Sequence, residues 1–258
     1  MHDRYAPALT ASGTSAAGET VPISWFTCAD ESAHYGFSVG MLLQQYREQL
    51  RWDEGVVDEL GTGDASAIAD VVAALPGLRV RGFDISEASV EQARRNIAAR
   101  GLGDRYTVEL GDFFDSADST GGRSGRTVIS NPPYIPAPDP DILMPELWGG
   151  VYGNDLALML LKADYDTVVL AIPSYADPVT TLGTAVGLGY RVVNFLAMGL
   201  DFGAYSAQPK VSRHIRKLVA DGRGWAGEDE YLVAVTLLTR LDAVPGDRLE
   251  HLLRTLHV

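Results

Sequence analysis

Asn131, Pro132, Pro133 and Tyr134 follow a short apolar run directly, in the stretch VISNPPYIP at 128–136. Proline has no N–H for a sheet ladder, so a strand must stop there. An amide, a stiffened backbone and an aromatic ring then meet at one strand end. That set can hold a flat polar group. Acceptors aimed at the hydrogens of such a group would polarise it and fix its direction. The Asn131 side-chain oxygen is one, and the Pro132 carbonyl is the natural second. Proline preorganises both, so little entropy is lost on binding. Pro133 and Tyr134 would contact the substrate, with the ring against the flat face of the target group. The alternative is a plain strand-ending turn.

A second constellation lies upstream. Glu59-Leu60-Gly61-Thr62-Gly63 has the acidic-x-Gly-x-Gly shape of a turn that receives a nucleotide-bearing ligand at a strand end. Asp84 ends the next apolar run, where a carboxylate can accept from both hydroxyls of a ribose. Asp112 follows the run after that and can accept from an adenine amino group. Ile85 and Phe113, next in the chain to these acids, join them as ligand contacts. Each acid alone could be a cap or turn residue. The dinucleotide fingerprint would place a third glycine at 66, where Ser66 stands, so a nicotinamide-dependent dehydrogenase is a distant alternative.

These residues need strand ends on one edge of a sheet, and the pattern supplies them. Apolar runs at 56–60, 78–84, 106–110, 127–130, 167–172, 190–198 and 231–241 read as strands. Helical spacing marks the stretch from Val39 to Leu50, with further helices at 65–75, from the Ser86 cap to Gly101, and at 154–163, 175–188 and 245–256. Alternation of the two predicts an α/β, doubly wound, mostly parallel Rossmann-like sheet with helices on both faces. Residues 1–22, rich in Ala, Ser, Thr and Gly, read as a flexible tail. Residues 23–54 form an N-terminal helical segment over the site, and 55–258 form the main domain, with an insertion at about 199–230.

Composition narrows the partners. The 258 residues carry a net charge of −13 and a single cysteine, Cys28. An acidic chain repels phosphate backbones, which makes a nucleic-acid partner unfavourable. One cysteine allows no internal disulfide and fits a reducing cytoplasm. His34 lacks partners at ligand spacing, so no metal is expected. No run approaches the roughly 20 apolar residues of a membrane helix, and no signal peptide is visible.

With these residues in register the chain resembles the class I S-adenosylmethionine-dependent methyltransferases over roughly residues 35–241. The resemblance implies strand order 3-2-1-4-5-7-6 with the seventh strand antiparallel, and S-adenosyl-L-methionine as cofactor. It carries Glu59, Gly61 and Gly63 to the methionine end, Asp84 to the ribose and Asp112 to the adenine. The third glycine often found in that loop is Ala65 here. Asn131-Pro132-Pro133-Tyr134 is the signature of members that methylate planar NH2 groups. WGGVYGNDLALMLL at 148–161 is similar to a segment of the HemK-type protein-glutamine N5-methyltransferases, with Gly149, Gly150, Gly153 and Asp155 in place and Tyr152 and Asn154 departing.

The acceptor is less defined. The N-terminal segment is shorter than the helical domain of the bacterial release-factor enzymes, and the 199–230 insertion has no counterpart there. In the insertion, PKVSRHIRKL gives a helix with Val211, Ile215, Leu218 and Val219 on one side and basic groups on the other. Lys210 and Arg213 are expected to bind an acidic group of the substrate, and Tyr35 to line the mouth, with Trp25, Phe26, His34 and Phe37 as further candidates for it. The acceptor is then a protein glutamine or a small metabolite, with a tilt toward the metabolite. A nucleic-acid amino-methyltransferase and a catalytically silent partner protein are the competing readings.

Overall fold

The central strands are built from runs such as Val57–Leu60 and Thr127–Ser130, buried at every position, as expected of parallel strands covered on both faces. In the computed structural model, which describes residues 12–14, 20–22, 29–115 and 126–258, seven strands form one sheet. They are β1 (Val57–Leu60), β2 (Val80–Asp84), β3 (Tyr106–Leu110), β4 (Thr127–Ser130), β5 (Thr167–Pro173), β6 (Arg191–Asp201) and β7 (Glu230–Thr239). Their order is β3-β2-β1-β4-β5-β7-β6. β1 to β5 pair in parallel, and β7 runs antiparallel to both β5 and β6. This is the class I methyltransferase topology that the resemblance implies. Ser12–Thr14 and Thr20–Pro22 pair as a separate two-stranded ribbon.

The helices are α1 (Ala29–Gln45), α2 (Arg47–Leu50), α3 (Ser66–Ala74), α4 (Glu87–Ala99), α5 (Asp155–Lys162), α6 (Pro178–Gly187), α7 (Pro209–Ala220) and α8 (Leu249–Thr255). Ser86 caps α4 by accepting from Ser89 N, and Pro178 sits in the first turn of α6, where its missing N–H costs nothing. The α7 helix buries Val211, Ile215 and Leu218, as its pattern predicts. No helix among the described residues is long and apolar enough to cross a membrane.

Two boundaries that bear on the site differ from expectation. β6 continues to Asp201, three residues beyond 198, because β7 pairs with it through Asp201↔Glu230. α1 begins at Ala29, well before Val39. Its first half buries Glu31, His34 and Ser38, so the buried stripe passes through polar residues and apolar periodicity does not register it. Those polar groups are satisfied. His34 Nε2 donates to the Val233 carbonyl of β7 at 3.3 Å, and Ser38 Oγ donates to His34 Nδ1 at 3.4 Å. Burial lowers the pKa of His34, consistent with a neutral ring that both donates and accepts. On its other side α1 lies against α3 so closely that a Cβ on Gly36 would stand 2.7 Å from the Ala67 carbonyl oxygen.

Beneath the sheet edge, Asp58 is fully buried. Arg81 Nε reaches its Oδ1 at 3.1 Å and Tyr165 Oη donates to its Oδ2 at 2.7 Å. The pair ties β1 to β2 and to the approach to β5.

Candidate active site

The parallel strands end together along one edge, and a cavity of about 260 Å³ opens there. Gly61, Gly63, Asp84, Ile85, Asp112 and Phe113 line one half, and Asn131, Pro132, Pro133 and Tyr134 line the other. The two constellations that the sequence places at strand ends therefore meet in one space.

In the first half, backbone turns hold the acids. Asp84 Oδ2 accepts from Gly63 N at 2.8 Å and Oδ1 from Ser86 N at 2.9 Å. Each oxygen keeps a lone pair for a ligand. Burial raises the Asp84 carboxyl, and the two backbone hydrogen bonds pull it back down. Asp112 Oδ1 accepts from Phe114 N at 2.8 Å. Ile85 is 65% exposed, an apolar surface available to a flat ligand, while Phe113 is buried edge-on against Phe83 and Phe114.

Glu59 and Thr62 do not line this cavity. Side chains alternate along a strand, and Leu60 takes the cavity side. Glu59 therefore points behind the loop, fully buried, where the Tyr106 hydroxyl donates to it. Burial pushes its carboxyl up to about 7, against the pull of that hydrogen bond and with a further push from the charges of Asp84 and Asp64. Thr62 fills the room left by Gly82, where a Cβ would come within 2.2 Å of its Oγ1. Tyr35 is also behind the loop, 5% exposed and close enough to feel the Glu59 charge. One turn earlier on the same helix face stands Glu31, and it is Glu31 that reaches the cavity.

In the second half, Ser130 Oγ donates to the Leu60 carbonyl at 2.9 Å and locks the ends of β1 and β4 together. The chain then passes through Asn131–Tyr134 and pairs briefly with 147–149. Ile135 N donates to the Leu147 carbonyl at 2.9 Å, and Gly149 N to the Ile135 carbonyl at 3.0 Å. The glycines of GGVYG make this possible. A Cβ on Gly149 would lie 2.6 Å from Tyr134 Cα, and one on Gly153, at φ +80, 2.6 Å from the Tyr134 carbonyl oxygen. The segment is the cushion under the Pro-Pro motif.

Asn131 Nδ2 donates to Glu31 Oε1 at 2.7 Å. Its Oδ1 is buried and has no hydrogen-bond partner among the described residues. Such an atom needs an explanation, and a missing ligand donor is one. Tyr134 lies near enough to Glu31 to favour its charged form, and its hydroxyl lies 3.4 Å from that of Tyr231. Tyr134, Tyr175, Tyr231 and Phe202 pack as an aromatic wall with centroids 4.8–6.0 Å apart.

The insertion contributes Asp201, Gly203, Tyr205 and Ser206 to the lining, but not its cations. Lys210 pairs with Asp139 and donates to the Asp141 carbonyl at 2.8 Å. Arg213 Nε donates to the Pro209 carbonyl on its own helix at 3.0 Å. Gln208 Oε1 accepts from Leu143 N at 2.7 Å, and His214 Nε2 donates to the Val151 carbonyl at 2.7 Å. The basic face of α7 thus pins the 139–151 loop instead of facing the cavity. The apolar stripe of α7 claims the core side and leaves the cations outside. Of the aromatic candidates near the N-terminus, Trp25 and Phe26 lie outside the described residues, His34 is held by β7, and Phe37 is 62% exposed.

The lining carries the carboxylates of Glu31, Asp84, Asp112, Glu146 and Asp201, and none of the described lining residues is Lys, Arg or His. Such a site suits a cationic ligand and disfavours a phosphate.

No protein-family model matches the chain. Curated relatives do. The chain is 37% identical over 186 residues to the release factor glutamine methyltransferase of Gloeobacter violaceus, covering 69% of this chain and 57% of that protein. It is 31% identical over 180 residues to the protein of that name from Rhodospirillum rubrum, covering 66% and 51%. A ribosomal protein uL3 glutamine methyltransferase of Bradyrhizobium diazoefficiens matches at 32% over 127 residues, covering 46% and 36%. The chain thus spans about half the length of the first two relatives. Among solved structures, a Pyrococcus horikoshii protein provisionally described as an RNA methyltransferase aligns with a TM-score of 0.51 at 15% identity, over 78% of this chain and 82% of that one. This last likeness shows the fold.

Proposed function

We propose that this chain, a homologue of the release factor glutamine methyltransferases, transfers a methyl group from S-adenosylmethionine to a planar NH2 group, the side-chain amide of a protein glutamine. The observation that carries the reading is Asn131 Oδ1, buried without a partner at the end of a cavity whose far half is a nucleoside-shaped set of turns.

The residues fit the cofactor. Asp84 offers two oriented oxygens to a ribose, Asp112 an acceptor to an adenine amino group, and Ile85 and Phe113 apolar surface for the ring. The Gly61–Gly63 turn leaves open space above it, since a Cβ on Gly63 would meet nothing within 4 Å. The carboxylate lining matches a cation, and the cofactor supplies an electrophilic methyl group on a sulfonium. Glu59 and Thr62 then act by supporting the loop.

On the acceptor side, Asn131 Oδ1 and the Pro132 carbonyl accept from the two N–H groups, which pushes electron density onto the nitrogen and fixes its direction. Pro133 and the Tyr134 ring bound the space. The names of the relatives move the acceptor from a small metabolite to a protein glutamine. An NH2 on a nucleic acid would have to bring phosphates toward Glu146 and Asp201, which is unfavourable. The single cysteine supports a reducing, cytoplasmic setting.

The test is incubation of the purified protein with methyl-labelled S-adenosylmethionine and a bacterial release factor, with total RNA in parallel, followed by mass spectrometry. Label on a glutamine of the release factor is expected. Label confined to RNA or to small molecules overturns the acceptor, and no heat of cofactor binding in calorimetry overturns the enzyme.

A further inference from the structure

An asparagine amide has two near-isosteric orientations that exchange oxygen for nitrogen. With Oδ1 toward the cavity, Asn131 is an acceptor for an NH2 group. With Nδ2 there, two donors would face each other and the motif would repel its target. The double proline fixes the backbone of the motif but not this side-chain torsion. Something else has to choose.

Resting on the methyl-transfer reading, we infer that Glu31 is a positioning residue, whose carboxylate engages Asn131 Nδ2 and thereby holds Oδ1 toward the acceptor nitrogen. Burial raises the Glu31 carboxyl, while the hydrogen bond from Asn131 and the nearby Tyr134 hydroxyl favour its charged form; once ionised, the carboxylate accepts and never donates, so it satisfies one amide orientation and opposes the other. The contact is 2.7 Å, the length of a charge-assisted bond. Glu31 is 3% exposed, so it is a buried partner for the amide. The Tyr134 hydroxyl lies close enough to the same carboxylate to favour its charged form. Glu31 sits in the first turn of α1, where the helix N-terminus favours negative charge. The helix itself is pinned by His34 to the Val233 carbonyl and by Gly36 against Ala67. This gives the N-terminal helix a task in the chemistry: it delivers the group that sets the polarity of Asn131.

Two measurements test this. The first needs no acceptor. In nitrogen-15 spectra of the intact protein, an Asn131 Nδ2 proton is shifted downfield by the carboxylate. Glu31→Gln, an isostere that can donate or accept, removes that shift while leaving the melting temperature within a few degrees and the cofactor Kd within about twofold. The second is turnover with labelled cofactor and a bacterial release factor. Glu31→Gln lowers kcat by about tenfold or more with KM little changed, as loss of a preorganised acceptor does. In an Asn131→Ala background the same change costs nothing further. The swap Glu31→Gln with Asn131→Asp recovers most of the loss, because the introduced amide can donate to the introduced carboxylate and leave an acceptor facing the cavity. An Asn131 resonance indifferent to Glu31→Gln, equal losses in both backgrounds, or a swap no better than Glu31→Gln alone each overturns the inference. If the unaltered protein does not methylate the release factor, the acceptor proposed above falls, and the spectra decide the role of Glu31 by themselves.

Discussion

The half of the cavity lined by Asp84 and Asp112 is assembled over short stretches of chain, and the half around Asn131 over long ones. Asp84 bonds the backbone of Gly63, 21 residues away, and of Ser86, two away; Asp112 bonds Phe114, also two away. By contrast, Asn131 and Glu31 are 100 residues apart, and Tyr134 and Tyr231 are 97. The first half uses backbone N–H groups that βα turns always present. The second uses side chains brought by α1, β4, β6 and β7, so its geometry is set by how those elements dock. The half around Asp84 is thus a property of the fold, and the half around Asn131 a property of this chain.

That contrast can be broken by experiment. Asn131→Ala is expected to cut turnover by about a hundredfold or more while cofactor affinity stays within a few-fold. Asp84→Ala is expected to weaken cofactor binding by about tenfold to a hundredfold in calorimetry, with turnover at saturation little altered. If each variant damaged both properties equally, the halves would be one unit. A finer probe is Gly36→Ala, whose new Cβ meets the Ala67 carbonyl and displaces α1. Turnover should fall by about tenfold with cofactor affinity kept, since α1 brings Glu31 to the acceptor half alone.

The mildest probe separates the two buried glutamates. Glu59 has its carboxyl raised to about 7 by burial, so its ionised form is the costly one. Its contribution to stability is complete below the unfolded pKa and is lost as pH rises through about 7. Glu59→Gln should therefore gain about 1–2 kcal/mol on the wild type between about pH 5 and pH 8, read as relative melting temperatures. Methyl transfer is expected to change little. A gain that does not depend on pH would contradict the buried, titrating role.

Much of the first half was legible in the sequence for the same reason that it is local. Continuous apolar runs and period-3.6 patterns place the strand ends, and Gly61, Gly63, Asp84 and Asp112 follow from those ends, as Asn131 does in the other half. Within that half, Glu59 does not line the cavity, because a motif gives position but not side: with Leu60 on the cavity, Glu59 faces away. Glu31 escaped notice because α1 buries polar residues where periodicity looks for apolar ones. Its signal was present as the stripe Glu31, Tyr35, Ser38, Leu42, buried at i, i+4, i+7 and i+11, with an acid at its head. Tyr35 was the right stripe one turn too late. Lys210 and Arg213 were correctly placed on a basic helix face, but charge pattern says nothing about which neighbour a face meets, and here Asp139 claims Lys210.

The carboxylates around the cavity also bear on how a catalytic cycle ends. Under the proposed reaction the donor enters as a sulfonium and leaves as a neutral thioether. A pocket lined by Asp84, Asp112, Glu146 and Asp201 therefore holds the spent molecule less tightly than the fresh one by the electrostatic worth of one positive charge. The same lining that draws the reactant in favours its exchange after each turnover, and so works against inhibition by product.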